Sequence, residues 1–358
     1  MNTPTHRVAI IGCGRQGQCY AEAYSTYPDT SIVALVEPHA ERRHAVAKRF
    51  GIDAHFADVS AMLAQVVPDV AAIVTPVRYT KEAVIACAEA GVKGISVEKP
   101  IGGVLADVDA MIDACTTNGV VFSGGCLQSA MHEVQEVAAR LRRGDYGAIT
   151  AASVHGFCGE IVGGGCQHIG VLRLLTGAEV DRVTAWATPD EAVDDDIDGR
   201  LSIHGMWRLT SGIDSSVFGR IDDLSSVEVW NERVLVRWSW GPPEIYVGHD
   251  AKGRRQRIDP DYAAYEYDAF GYMTGSIRSL LRAIETGEPP WITGADLRCA
   301  LEVAIASRES ARLGHAEIRL PLQDRSLHLY PSPYRWGGGD VSGQPQSLEE
   351  ASGNVGDS

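Results

Sequence analysis

The chain has 358 residues, enough for two domains with buried cores, and its 45% hydrophobic and 22% charged residues are those of an ordinary globular protein. Thirty-two basic against 47 acidic residues leave a formal net charge of −15, which argues against nucleic-acid or anionic-membrane binding through bulk charge. No apolar run reaches membrane-span length, and eight scattered cysteines without a C-x-x-C pair read as reduced core thiols of a cytoplasmic protein, with no metal site expected.

The apolar run at the start predicts a strand over 7–11, followed by a helix over 15–25. Between them Gly12, Gly14 and Gly17 stand at G-x-G-x-x-G spacing. The first glycine allows a tight turn, the second a close backbone approach to a pyrophosphate, and the third close helix–strand packing. Gly12, Gly14, Arg15, Gln16 and Gly17 are therefore the expected pyrophosphate residues, at a helix N-terminus whose N–H groups favour anions. A second strand, 32–36, ends at Glu37, placed to accept hydrogen bonds from the ribose hydroxyls and to repel a 2′-phosphate. NAD is thus expected over NADP, with Arg42 and Arg43 read as surface residues of the helix predicted over 39–50.

Helices over 58–65, 80–90 and 104–117 alternate with strands over 70–74, 94–97 and 120–123, the pattern of a parallel doubly wound sheet. Its ligand edge, at the carboxyl ends of the strands, receives Thr75, Pro76, Glu98 and Lys99. A lysine there can orient a substrate hydroxyl and ease its proton loss. After residue 125 the pattern changes to a helix over 131–143 and strands over 149–157, 180–187, 200–209, 213–221, 226–230 and 233–240. Their alternation predicts an antiparallel sheet, with Val234, Val236, Trp238 and Trp240 on one core or interface face. Helices are expected near 263–286 and 294–313, and a chain without fixed structure from about Gly337. The acidic run Asp194–Asp195–Asp196–Ile197–Asp198 lacks a calcium-loop pattern and reads as a solvated loop. The divisions expected are a dinucleotide domain (1–125), an α+β domain (126–330) and a tail (331–358).

Gly12-Cys13-Gly14-Arg15-Gln16-Gly17, Thr75-Pro76, Ala90-Gly91 and Glu98-Lys99-Pro100 resemble, in order and spacing, the glucose–fructose oxidoreductase/inositol dehydrogenase (GFO/IDH/MocA) family. The resemblance covers roughly residues 5–325 and is looser in the second domain. It implies an α/β fold: an N-terminal Rossmann domain, then a C-terminal α+β domain with an open, mostly antiparallel sheet through which the chain forms a dimer or tetramer. It also implies NAD(P)-dependent oxidation or reduction of a carbinol or ketone on a sugar, cyclitol or other small polyhydroxylated substrate. Lys99 would lie beside the nicotinamide and bind substrate, which enters between the domains.

The family's D-x-x-x-H-x-x-D helix is altered. Anchored on Gly177, its histidine falls on Gln167 and its second aspartate on Gly170, with His168 one residue out of register. His168 is the chemically apt catalytic partner for Lys99, because imidazole titrates near neutral pH. Gln167 can only hold substrate by hydrogen bonds, His155 is a further substrate candidate, and Gln128 stands where relatives carry a substrate-contacting polar residue. The altered helix leaves open a second reading, a non-catalytic nucleotide-binding regulator or partner subunit.

Overall fold

In a computed structural model the chain is described over residues 6–124, 128–157, 159–199, 201–219, 225–263 and 271–337. In chain order the elements are β1 (His6–Ile11), α1 (Arg15–Thr26), β2 (Thr30–Val36), α2 (Ala40–Phe50), β3 (His55–Phe56), α3 (Val59–Leu63), β4 (Val70–Ile73), α4 (Thr80–Glu89), β5 (Gly94–Val97), α5 (Leu105–Thr117) and β6 (Val121–Gly124). Then follow α6 (His132–Arg142), β7 (Ala151–His155), α7 (Gly165–Thr176), β8 (Val180–Thr188), β9 (Ser202–Leu209), β10 (Asp214–Phe218), β11 (Ser226–Trp230), β12 (Val234–Trp238), β13 (Glu244–Val247) and β14 (Gln256–Ile258). The last are α8 (Tyr272–Thr286), α9 (Gly294–Arg312), β15 (Ile318–Arg319) and α10 (Pro333–Trp336). The chain divides into two compact units, the first made of residues 1–126, 267–298 and 332–358, the second of 127–266 and 299–331.

In the first unit six parallel strands run in the order β3-β2-β1-β4-β5-β6. Continuous apolar strands such as Val70–Ile73, buried at every position, belong at the centre of a sheet covered on both faces. The order reverses between β1 and β4, and ligands of open α/β sheets bind at that point, outside the strands' carboxyl ends. α8 returns from late in the chain to complete this unit. Its Met273, Ile277, Leu280 and Leu281 join Val8, Ile10, Tyr20, Tyr24, Val70 and Ala72 in one buried cluster. Gly94 is small for the same reason: a Cβ there would stand 2.5 Å from Ile284 Cδ1. α8 therefore packs with the nucleotide-domain strands, whereas its place in the sequence put it with the second domain.

The second unit holds a nine-stranded sheet among the described residues, ordered β14-β13-β12-β11-β7-β10-β9-β8-β15 and antiparallel except where β7 meets β10. One face carries Val154, Val227, Val229, Val234, Val236, Trp238 and Trp207, all fully buried. α9 braces this face through Trp207 Nε1, which donates to Ser307 Oγ at 3.1 Å. The other face carries Trp186, Met206 and Phe218, which are 47%, 42% and 42% exposed.

Three short strands, β13, β14 and β15, lie outside the predicted set, as do β3 and α10. Trp240 also differs from expectation: β12 ends at Trp238, and Trp240 is partly exposed at a φ of 59°. The solvated-loop reading of 194–198 fails at Asp198, which is fully buried. Its Oδ2 accepts from Val162 N at 2.6 Å, and its own N donates to Tyr330 O at 2.7 Å. The tail expected over 331–358 is corrected at its start, where Pro333–Trp336 form α10; residues 338–358 lie outside the described residues, as do 264–270 of the predicted 263–286 helix.

Candidate active site

At the carboxyl end of β1 the glycine spacing becomes geometry. Gly12 has a φ of +97°, a left-handed conformation that favours glycine, and a Cβ on it would stand 2.4 Å from Val74 O. A Cβ on Gly17 would lie 2.0 Å from Gly12 O, so α1 crosses the loop at a distance only glycine permits. Gly14 is the opposite case: a Cβ there meets nothing within 4 Å. It caps α1 without any side-chain hydrogen bond, and Arg15 and Gln16 open the helix behind it. Open space over an uncapped helix N-terminus suits a diphosphate, so these residues fit a dinucleotide.

Glu37 closes β2 with its carboxylate facing this loop. Oε2 accepts from Cys13 N and Oε1 from His39 N, both at 3.0 Å. Arg42 embraces the same carboxylate, Nη2 to Oε1 at 3.2 Å and Nε to Oε2 at 3.1 Å. Arg43 Nη1 donates to Glu37 O at 2.7 Å. The expectation that Arg42 is a surface residue is thus corrected, because its side chain is largely buried in an ion pair. The neighbouring Cys13 thiol is inert by the same enclosure, its pKa pushed by burial to about 12.

The ends of β4 and β5 sit beside the glycine loop. Val74 N donates to Ile11 O at 2.7 Å and Glu98 N to Ile73 O at 3.0 Å, which aligns Gly12, Thr75, Pro76, Glu98 and Lys99 along one edge. Thr75 Oγ1 lies 3.1 Å from Thr80 Oγ1, and Pro76 O accepts from Tyr79 N at 2.9 Å to form the turn before α4. Lys99-Pro100 is a cis peptide. Glu98 is partly buried, and burial raises its pKa against the pull of Lys99 and of the Tyr20 hydroxyl, which donates to Oε2 at 2.9 Å. Tyr20 and Arg335 escaped the sequence reading. Tyr20 had a signal, as the polar aromatic of an otherwise small apolar helix face, whereas Arg335 lay in the presumed tail and had none. α10 in fact packs on the Val77–Tyr79 turn, and its Arg335 bears electrostatically on Glu98.

In the second unit Gln128 and Gln167 come together and His168 does not join them. Gln167 Oε1 accepts from Gln128 N at 2.8 Å, both side chains are buried, and Gln128 Oε1 is a buried acceptor without a hydrogen-bond donor. One helical step on, the His168 ring turns into the core. It is fully buried, 2.8 Å from Ser225 Oγ through Nε2 and 3.3 Å from Gly164 O through Nδ1. The rings of Phe157, Trp238 and Trp240 surround it at 5.7, 5.3 and 5.5 Å. Burial lowers its pKa to about 4. A sealed, neutral imidazole with both nitrogens engaged is a core histidine, which corrects the expectation that His168 is catalytic. His155 is placed elsewhere again. It stacks on Phe218 at 5.5 Å, bonds Ser153 Oγ through Nε2 at 2.8 Å, and lies on the sheet face opposite to Trp238 and α7.

The buried state of His168 carries a stability consequence. Its folded pKa lies below the unfolded value of about 6.5, so the unfolded chain binds more protons between pH 4 and 6.5 and stability falls as pH drops through that window. In urea unfolding, His168→Gln is expected to remove about 2–3 kcal/mol of the stability difference between pH 7 and pH 4.5. An unchanged difference would mean that the ring is not buried neutral.

Comparison with known proteins identifies the first unit. Residues 6–126 match GFO_IDH_MocA, an oxidoreductase family with an NAD-binding Rossmann fold. This NAD-binding domain belongs to the GFO/IDH/MocA family. D-apiose dehydrogenase of Paraburkholderia graminis is 36% identical over 112 residues, only 31% of this chain and 30% of that protein. The scyllo-inositol 2-dehydrogenase (NAD(+)) of Bacillus subtilis is 24% identical over 335 residues, 86% of this chain and 94% of that one. Among solved structures, the WlbA dehydrogenase of Bordetella pertussis, in complex with NADH and UDP-GlcNAcA, superposes with a TM-score of 0.71. It is 20% identical and covers 88% of this chain and 99% of its own. At that identity the likeness shows the fold, which is the one the strand order describes.

Proposed function

We propose that this chain is an NAD-dependent dehydrogenase acting on a CH–OH group of a sugar, cyclitol or sugar derivative. The observation that carries the reading is Lys99, held at the carboxyl end of β5 beside an intact glycine cradle in the family's nucleotide domain. The relatives named above are a D-apiose dehydrogenase and a scyllo-inositol 2-dehydrogenase, which supports a polyhydroxylated substrate. Gly12, Gly14, Arg15, Gln16 and Gly17 receive the pyrophosphate, Glu37 reads the ribose, and Thr75, Pro76 and Glu98 border the nicotinamide. Bound NAD supplies the hydride acceptor. Lys99 Nζ orients the substrate hydroxyl and takes up its proton as the carbinol carbon is oxidised. In the second unit Gln128 and Gln167 form a buried hydrogen-bonded pair, with Gln128 Oε1 an acceptor without a donor. Side-chain amides can fix a hydroxyl but cannot exchange its proton, and this reading gives proton handling to Lys99.

The test is NADH formation across a panel of cyclitols, sugars and sugar derivatives, with keto-sugars for the reverse direction. A substrate whose oxidation depends on Lys99 sustains the reading. Silence in both directions from protein that binds NADH would hand the chain to a nucleotide-binding regulator.

The exposed sheet face is assigned to self-association. Trp186, Met206 and Phe218 expose large apolar side chains side by side on β8, β9 and β10, a patch of the kind that marks an interface. Light scattering is expected to give a multiple of 38.5 kDa for the native chain and a single 38.5 kDa species for Phe218→Arg. A native monomer would remove the assignment.

A further inference from the structure

The Tyr20–Glu98 hydrogen bond joins two parts of the first unit that the glycine motif and the E-K-P motif treat separately. Tyr20 stands on α1 three residues after Gly17, is 1% exposed, and donates from its hydroxyl to Glu98 Oε2 at 2.9 Å. The Glu98 backbone is already fixed by β4 through the bond from its N to Ile73 O. Its side chain is therefore held from the other direction, by the helix that carries the pyrophosphate end of the site. The charged and titratable groups facing Glu98 are Lys99 beside it, Tyr20 and Cys19 from α1, and Arg335 from α10. Of these only Tyr20 offers its carboxylate a side-chain hydrogen bond.

We infer that Tyr20 is a positioning residue that acts through Glu98, holding that carboxylate ionised and aimed at the nicotinamide end of the site. The inference rests on the dinucleotide reading above. A phenol O–H bonded to a carboxylate favours the ionised form, while burial favours the protonated one. With the phenol present, Glu98 keeps both oxygens as acceptors for the carboxamide or the ribose hydroxyls of the cofactor. Without it, burial is opposed only by the Lys99 and Arg335 charges and the Lys99 backbone N–H, and Glu98 takes a proton at a higher pH. An acceptor at the nicotinamide end then becomes a donor, and cofactor affinity falls.

NADH affinity, followed by the fluorescence of the bound nicotinamide between pH 5 and 9, tests this without turnover. The native chain is expected to lose affinity on the acid side. Tyr20→Phe is expected to move that loss upward by about one pH unit, a tenfold change in the protonation equilibrium. Glu98→Gln, which cannot titrate, is expected to flatten the profile. Tyr20→Phe keeps the buried ring, and its urea midpoint reports any general loosening separately. An acid limb that stays in place in Tyr20→Phe, survives in Glu98→Gln, or is absent from the native chain would overturn the inference while NADH binding stands. Failure of the native chain to bind NADH at any pH would overturn the dinucleotide reading, and this one with it.

Discussion

Lys99→Ala is expected to lower the rate of NADH formation by about 10²–10⁴-fold while leaving NADH affinity within about threefold. The split follows from where the side chain begins. Lys99 is the second residue beyond β5, which ends at Val97, so its amine is the proton-handling group on the nicotinamide edge, whereas the pyrophosphate cradle lies two strands away at the end of β1. Gln128 and Gln167 cannot replace it, and His168 is sealed among aromatic rings. Lys99→Arg is expected to stay close to the alanine variant, because a guanidinium keeps the charge but does not release or accept a proton near neutral pH. Equal turnover in all three proteins would remove Lys99 from the mechanism. A parallel loss of NADH binding would make it a cofactor ligand instead.

The second large effect separates two glycines of the same motif. Gly17→Ala is expected to destabilise the first unit by at least ~3 kcal/mol, because its Cβ would stand 2.0 Å from a backbone oxygen that cannot move without shifting β1 or α1. Gly14→Ala is expected to leave the urea midpoint almost unchanged, since its φ of −65° suits any residue and its Cβ meets no protein atom. Its methyl group instead enters the space assigned to the pyrophosphate, and NADH affinity is expected to fall at least tenfold. Unfolding and binding measured on both variants thus decide whether the open space above α1 is a ligand's place. Normal NADH binding by Gly14→Ala would say that it is not.

Legibility in the sequence followed the range of the interactions. The alternation of β1, β2, β4, β5 and β6 with their helices, and the residues of the first-unit edge, depend on local spacing and could be read directly. Trp238 and Val236 were likewise readable, because a strand's period of two fixes a face without further knowledge. What could not be read depends on partners far along the chain. Asp198 looks solvated beside three other aspartates, and the Val162 N–H, 36 residues earlier, and Tyr330 O, far later in the chain, help make it a buried anchor. Arg42 looks like a surface helix residue until Glu37 turns inward to meet it. His168 had the right chemistry one position from the right place, and the aromatic rings that enclose it come from β12 and from the segments flanking β7 and β12. Short strands such as β14 and β15 carry too few residues for alternation to show.

The return of α8 to the first unit has a bearing on how the chain is made. Residues 6–126 carry the whole nucleotide signature, yet the buried cluster beneath β1 and β4 stays unfinished until Met273 to Leu281 arrive. A ribosome at about 5–20 residues per second needs roughly 7–30 s to cover the intervening segment. During that interval Val8, Ile10 and Val70 lack the helix that covers them in the finished fold, and the second unit is synthesised in the meantime. The nucleotide domain is thus begun first and closed late, and its early half spends its first seconds with part of its apolar surface uncovered.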